Sequence, residues 1–395
     1  MPSVVEILHH GEHRGWLVDH CTRQNSLPAK LAAMDHKGRQ KRLRKELESS
    51  RLDFLLVTHL PNIRYLCGFT GSAGTLVVAP TKSLFFTDGR YTEQARSEVE
   101  GARVVIARKS PIAAAGEWLS SHARKRRSLI MGVEGEHLSV AQRALLAKCL
   151  GRGFRLREAP PLVEKARMVK DAAELSLLRA AVNLGASLFE HALRAIRPGV
   201  KETEVAAEME YVARRAGAEG MSFDTIIASG PRSALPHGRA SQAAIPAHGF
   251  VVCDFGVILA GYCSDMTRTV FVGQPSDEDR RVYAAVLGAQ QAAVEAVKPG
   301  IGVGEIDQAG RKYLKKNGLD RHFTHSTGHG VGLEIHEPPR IAAGQSEVLQ
   351  PGMVITIEPG VYLPGKGGVR IEDMVEVTGD GCAVLTPTSK ELITI

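Results

Sequence analysis

The strongest constraint on the fold is a repeat. Leu175, Leu178, Val182, Phe189, Leu193 and Ile196 recur at helical spacing, and that helix ends at Arg197-Pro198-Gly199. A second helix follows, with Val205, Met209, Val212 and Ala216 on one face and Gly217 closing it. The same order returns roughly a hundred residues later. Val282, Val286, Ala293 and Val297 mark a helix ending at Lys298-Pro299-Gly300; a short helix begins near Glu305, and Gly318 closes it. Each half then supplies an apolar strand that ends on an acid, Gly249 to Asp254 in the first and Gly352 to Glu358 in the second. Two copies of one helix-helix-hairpin unit, facing each other about a pseudo-twofold, are predicted.

The acids decide what such a pair of hairpins is for. A two-residue turn at 259–260 sets Asp254 directly opposite Asp265; a turn at 260–261 moves them to the diagonal but keeps them on one face. Their neighbours Val252, Phe255 and Met266 are apolar, so two like charges stand together where repulsion is costly. Glu358 and Glu372 repeat the pattern. Arg370 alternates with Val369 and Ile371, so it points with Glu372 on the period of two. Four converging carboxylates need positive charge, and divalent cations supply it. His329 adds one imidazole. The oxygen-rich set suits two ions of Mn²⁺, Co²⁺ or Fe²⁺ better than a closed structural zinc site, with Zn²⁺ also compatible. Two such ions about 3.5–4 Å apart hold and acidify a water and polarise a carbonyl, which is chemistry for acyl-bond hydrolysis.

A chain of 395 residues exceeds one core, so a second domain is expected. Residues 34–160 read as a small α/β domain. It has a basic helix from Lys37 to Arg51, strands at 52–58, 75–78, 104–107 and 128–134, a strand-turn-helix through Asp88-Gly89, and a helix near 111–123. GFTGSAG lacks a phosphate-loop ending and reads as a turn. Pro160-Pro161 marks the boundary. The second domain, 161–395, opens on a capping box, Asp171-Ala-Ala-Glu174. Residues 1–33 show no sustained period and read as a disordered extension, with Met34 an alternative start. The net charge of +7 is mild, and the basic runs Lys37–Lys45 and Arg124–Arg127 read as solvated faces, so no nucleic-acid partner is expected. Six scattered cysteines without a CxxC pair fit a reduced cytoplasm. No apolar run reaches the ~18 residues of a membrane span, and the N-terminus has no secretory pattern.

DFG-x7-SD-x-TRT, HSTGHGVGLEIHE, IEPGVY and GGVRIED resemble the metal-binding blocks of the pita-bread metallopeptidases, the family of prolidase, aminopeptidase P and methionine aminopeptidase. YLCGFTGSAGTLVV and FFTDGRYTEQA resemble the creatinase-like N-terminal domain that prolidase and aminopeptidase P carry. The resemblance covers roughly residues 36–392. It implies an α/β (α+β) chain with a creatinase-like N-terminal domain and a pita-bread catalytic domain. It further implies that Asp254 chelates one metal, that Asp265 and Glu372 bridge, and that His329 and Glu358 hold the other. Glu358 would also take a proton from the attacking water. His336 would steady the tetrahedral intermediate, His237 and His325 would face substrate, and Arg370 would order the site and meet a substrate carboxylate. The implied activity is hydrolysis of the Xaa-Pro bond by a metal-bridging hydroxide. A dipeptidase stands ahead of an aminopeptidase acting on longer peptides, and a non-catalytic binding module is the remote alternative. A homodimer is implied as well. The Xaa-Pro bond has no N–H for ordinary peptidases to grip, and attack driven by two metals needs none.

Overall fold

The computed structural model describes residues 34–122 and 128–395. The expected extension 1–33 and the Arg124–Arg127 run lie outside them. The first elements are α1 (His36–Ser49), β1 (Phe54–Val57), α2 (Leu60–Cys67), β2 (Thr75–Val78), β3 (Ser83–Asp88), α3 (Thr92–Glu98), β4 (Arg103–Ala107), α4 (Pro111–His122), β5 (Leu129–Glu134), α5 (Val140–Leu150), β6 (Phe154–Ala159) and α6 (Leu162–Met168). Helix α1 stops short of the expected Arg51 because Arg51 itself takes a left-handed φ of 53°. The strands form one six-stranded sheet in the order β4-β3-β2-β1-β5-β6, antiparallel only through β1, β2 and β3. Alternation along these strands splits the core in two. Leu55, Val57, Leu76, Val78 and Phe85 meet α1 and α2 on one face, while Leu56, Val77, Leu84 and Phe86 meet α4 and α5 on the other. In α1 the basic residues Lys37, Lys41, Arg42 and Lys45 are exposed. Arg39 corrects the reading of a wholly solvated face: it is buried and pairs with Asp171 at 2.6 Å and Glu174 at 2.9 Å.

Helix α6 serves both parts of the chain, since Val163 belongs to the core of the first sheet and Met168 to that of the last. Beyond it come α7 (Ala172–Ala195), α8 (Glu202–Arg215), β7 (Gly220–Met221), β8 (Ile226–Ser229), β9 (Gly249–Phe255), β10 (Val257–Leu259), β11 (Tyr262–Cys263) and β12 (Met266–Val272). The second copy has α9 (Asp277–Glu295), α10 (Val303–Lys316), β13 (Gly328–Gly330), β14 (Glu337–Ile341), β15 (Val354–Ile357), β16 (Gly360–Leu363), β17 (Gly367–Arg370), β18 (Asp373–Val377) and β19 (Cys382–Val384). The capping box forms as expected: the Asp171 carboxylate accepts from the Ala173 and Glu174 amides, and Glu174 reaches back to the Asp171 amide.

The duplication extends to the backbone. Gly199 N–H donates to the Ile245 carbonyl at 2.8 Å, and Gly300 N–H to that of Leu349 at 2.9 Å. The bridges Lys201↔Ala244 and Gly302↔Val348 repeat the match. In the first copy α7 and α8 pack on β9 and β12 through Leu188, Val205, Met209, Val251 and Val270. In the second, α9 and α10 cover β15 and β18 through Ala293, Ile306, Ile355 and Val375. Both helical layers lie outside, so the strands turn their other faces toward each other, where the acids stand. No described helix is long and apolar enough to cross a membrane.

Candidate metal centre

Register fixes the acids. In the first hairpin Asp254 pairs with Thr267 and Leu259 with Tyr262, so the turn is Ala260-Gly261 and Asp265 lies on the diagonal from Asp254. Of the two turns open to the sequence, this is the second. Both its residues have positive φ, 48° and 83°, as a hairpin turn matched to strand twist requires. In the second hairpin the pairs Ile357↔Asp373 and Gly360↔Arg370 bracket Glu358 and Glu372, which makes those two cross-strand neighbours. The copies meet edge to edge: Glu372 N–H donates to the Thr267 carbonyl at 3.1 Å, and the Thr267 hydroxyl to Glu372 Oε2 at 2.7 Å.

All nine side chains singled out in the sequence line one cavity of about 870 Å³: His237, Asp254, Asp265, His325, His329, His336, Glu358, Arg370 and Glu372. Oxygens of Asp265 and Glu372 and a ring nitrogen of His329 lie within 4.8 Å of one another. His329 Nε2 is 3.6 Å from Asp265 Oδ2 and 3.6 Å from Glu358 Oε1. Its Nδ1 is 2.9 Å from the Gly330 carbonyl, which takes the ring proton and leaves a lone pair on Nε2. Burial, then His336, push this imidazole down to about 4. A lone pair therefore faces two carboxylates, beyond hydrogen-bond length.

The carboxylates are equally ill at ease alone. Burial, followed by Glu372 and Asp254, raises Asp265 well above the usual range, and burial, then Glu358 and Asp254, does the same to Glu372. Burial lifts Glu358 to about 8 against the pull of Arg370. The buried Oδ1 atoms of Asp254 and Asp265 have no hydrogen-bond partner. Orphaned oxygens, a free imidazole lone pair and crowded acids together fit divalent cations, and the donor set is that of hard to borderline ions.

Arg370 is spent on the site itself. Its guanidinium donates to Asp254 Oδ2 at 2.6 Å, the Tyr362 hydroxyl at 2.7 Å, the Pro236 carbonyl at 3.0 Å and the Thr267 hydroxyl at 3.2 Å. Tyr362 in turn reaches His325 Nε2 at 2.8 Å, while His325 Nδ1 meets the Ser326 carbonyl at 2.8 Å. Burial, then Arg370, push His325 down to about 4. The neutral ring thus donates from Nδ1 and accepts the Tyr362 proton at Nε2. His237 and His336 are exposed to the cavity, and the His336 ring stands edge-on to that of His329 at 4.4 Å.

Sequence reasoning missed two residues. Tyr362 lies at the end of IEPGVY, and its ring covers Gly360 and Gly368, where a Cβ would meet it at 2.5 and 2.9 Å. A glycine two residues before the tyrosine and another opposite it across the strands were the available signal. Arg340 lines the cavity from β14, exposed, and its guanidinium makes no ion pair or hydrogen bond among the described residues. Alternation along β14 shows that it faces away from the core, but not which hollow it faces.

Known proteins resemble this chain in sequence and in fold. Residues 176–379 match the model of metallopeptidase family M24, and residues 39–169 that of the creatinase/prolidase N-terminal domain. An Xaa-Pro dipeptidase of Pyrococcus horikoshii is 37% identical over 349 residues, spanning 88% of this chain and 96% of the relative. The solved structure of an Xaa-Pro dipeptidase from Bacillus anthracis superposes with a TM-score of 0.87 at 40% identity, covering 91% of this chain and 100% of the other. That of an X-Pro aminopeptidase from Thermotoga maritima gives 0.81 at 34% identity, over 90% of this chain and 100% of the other. With a family model matched over half of its length and relatives covered almost end to end, the chain belongs to metallopeptidase family M24.

Proposed function

We propose that this chain is a two-metal Xaa-Pro dipeptidase. The observation that carries the reading is the His329 lone pair aimed at Asp265 and Glu358 in a cavity whose buried aspartate oxygens lack partners. Asp254, Asp265, His329, Glu358 and Glu372 would hold two divalent ions, with manganese the ion proposed. When bound, the ions supply Lewis acidity, polarising the scissile carbonyl and lowering the pKa of water. The chain's own groups do the rest. Glu358 accepts the proton of the attacking water and holds it for the proline nitrogen, which must be protonated as the imide breaks. His336 donates to the carbonyl oxygen as charge gathers there and the carbon becomes tetrahedral. His237 faces substrate across the cavity. His325, through Tyr362 and Arg370, fixes Asp254.

Arg340 gives the reading its substrate length. With the donors of Arg370 engaged and Arg239 paired with Asp224 at 2.9 Å, Arg340 is the cavity cation left for a proline carboxylate. The aminopeptidase reading draws on the cavity volume, about 870 Å³, which lies near the top of the range for ligand pockets. A division at Pro160-Pro161, a homodimer and a reduced cytoplasmic setting belong to the same proposal; the described cysteines are all free, in keeping with it. The test is a length series with Mn²⁺ added, Ala-Pro against Ala-Pro-Xaa, in native and Arg340→Ala protein. The dipeptide should be preferred by more than about 100-fold in kcat/KM, and Arg340→Ala should raise its KM more than about tenfold with kcat little changed. Rapid cleavage of tripeptides would transfer the chain to the aminopeptidases.

A further inference from the structure

The His336 ring meets His329 edge-on and, among the described residues, is otherwise unheld by hydrogen bonds. Its place is therefore inherited from the loop 331–336 between β13 and β14. The start of that loop is tied to the catalytic strands, by Cys263 N–H to the Gly332 carbonyl at 2.8 Å and Val331 N–H to the Val354 carbonyl at 3.2 Å, while its later part is held by α6 and the elements before it. Leu333 packs into the core formed by α1, α2 and the first sheet. Glu334 Oε1 lies 2.9 Å from His59 Nε2, at the start of α2, and Glu334 Oε2 lies 2.8 Å from the Arg167 guanidinium of α6. Arg167 also donates to Glu337, the residue after His336, and Glu337 Oε1 accepts the Glu334 amide at 3.1 Å.

The holding groups are themselves braced. Arg167 donates to Asn62 Oδ1 at 2.7 Å, and Asn62 Nδ2 donates to Glu134 at 2.7 Å and Glu164 at 2.6 Å. Glu134 Oε2 accepts the His59 amide at 2.9 Å, and the His59 ring stacks on His137 at 3.6 Å. Arg167 and Glu337 are buried, 3% and 6% exposed, so their pair is shielded from salt and water, while His59 and Glu334 are half-buried at its edge.

We propose that the N-terminal sheet and α6 act as a positioning device for His336, with His59, Arg167, Leu333, Glu334 and Glu337 as its working parts. His59 and Glu334 are positioning residues: they touch no reacting atom but hold the backbone on both sides of one that does. This rests on the role given to His336 in the proposed reaction. It also gives the N-terminal part a duty within its own chain.

The test uses full-length protein with Glu334→Gln, His59→Gln and Leu333→Ala, each alone and with His336→Ala. In metal-loaded protein Glu334→Gln should lower kcat about tenfold, since small misplacements of a reacting group cost that much or more. KM and metal content should stay within about twofold, and Glu334→Gln should cost nothing further once His336 is alanine. Independently, hydrogen exchange of residues 331–337 in metal-free protein should quicken about tenfold in His59→Gln and Leu333→Ala. Unchanged exchange in both variants, or an equal loss of kcat with and without His336, overturns the proposal. Full turnover in His336→Ala alone would instead sink the reaction role of His336, while the exchange result still decides whether the loop is gripped.

Discussion

The carboxylates of Asp265, Glu358 and Glu372 give the metal-free protein a distinctive pH response. Burial, with repulsion from Asp254 added in each case, raises all three above their unfolded values, Glu358 to about 8. A raised acid binds its proton more tightly when folded. The stability this contributes is complete below the unfolded pKa of about 4 and is lost as pH rises through the folded value. Metal-free protein should therefore melt at progressively lower temperature from pH 5 to pH 8. Mn²⁺ should restore the loss most strongly at pH 8, where the ligands no longer hold protons. Thermal melts at three pH values with and without the ion decide it; a flat profile insensitive to Mn²⁺ would remove the crowded-acid argument. At this scale most of the centre was legible from sequence, because acids between apolar strand residues are anomalous wherever they fold. Arg340 was not, since its meaning depends on which other cations are already paired.

At the scale of elements, the first hairpin shows what a spacing argument leaves open. Counting residues allowed a turn at 259–260 or at 260–261. The deciding physics was local: a turn with left-handed backbone at both positions takes the glycine inside it, and Gly261 has φ 83°. Gly261→Ala strains that backbone, and its Cβ would fall 2.1 Å from the Arg64 guanidinium carbon, disturbing the contact of Arg64 with Glu219 at 3.6 Å. A loss of more than about 1 kcal/mol is expected, read as a shifted urea midpoint at unchanged slope. Weaker metal binding should accompany it, because this turn frames Asp254 and Asp265. The helices and the first sheet were largely readable from periodicity and caps. The burial of Arg39 was not, because its partners Asp171 and Glu174 stand over 130 residues away.

At the scale of the whole molecule, the two copies are locked by Arg268. It is 1% exposed and donates to the Glu372 carbonyl at 2.5 Å, Asp373 Oδ1 at 2.7 Å, and the carbonyls of Thr388 at 2.7 Å and Ser389 at 2.9 Å. Arg268→Met should cost about 3–5 kcal/mol, the usual penalty for stranding a buried partner. Lys390, 2.7 Å from Asp373, should soften the loss toward the lower figure. Chemical denaturation measures it, and a loss below about 1 kcal/mol would show that Lys390 alone neutralises Asp373.

The buried charge lattice around Arg167 has a last consequence. Parting the N-terminal sheet and α6 from the catalytic ribbons would take Arg167 away from Glu334 and Glu337 and leave Glu337 with Lys170 alone, at several kcal/mol for the stranded charge. The catalytic cavity beside this lattice carries the exposed charges Asp224, Arg239, Arg340 and Glu347 in its lining. Girth then screens what charge does not: a hollow of about 870 Å³ has room for a short peptide and none for a folded chain.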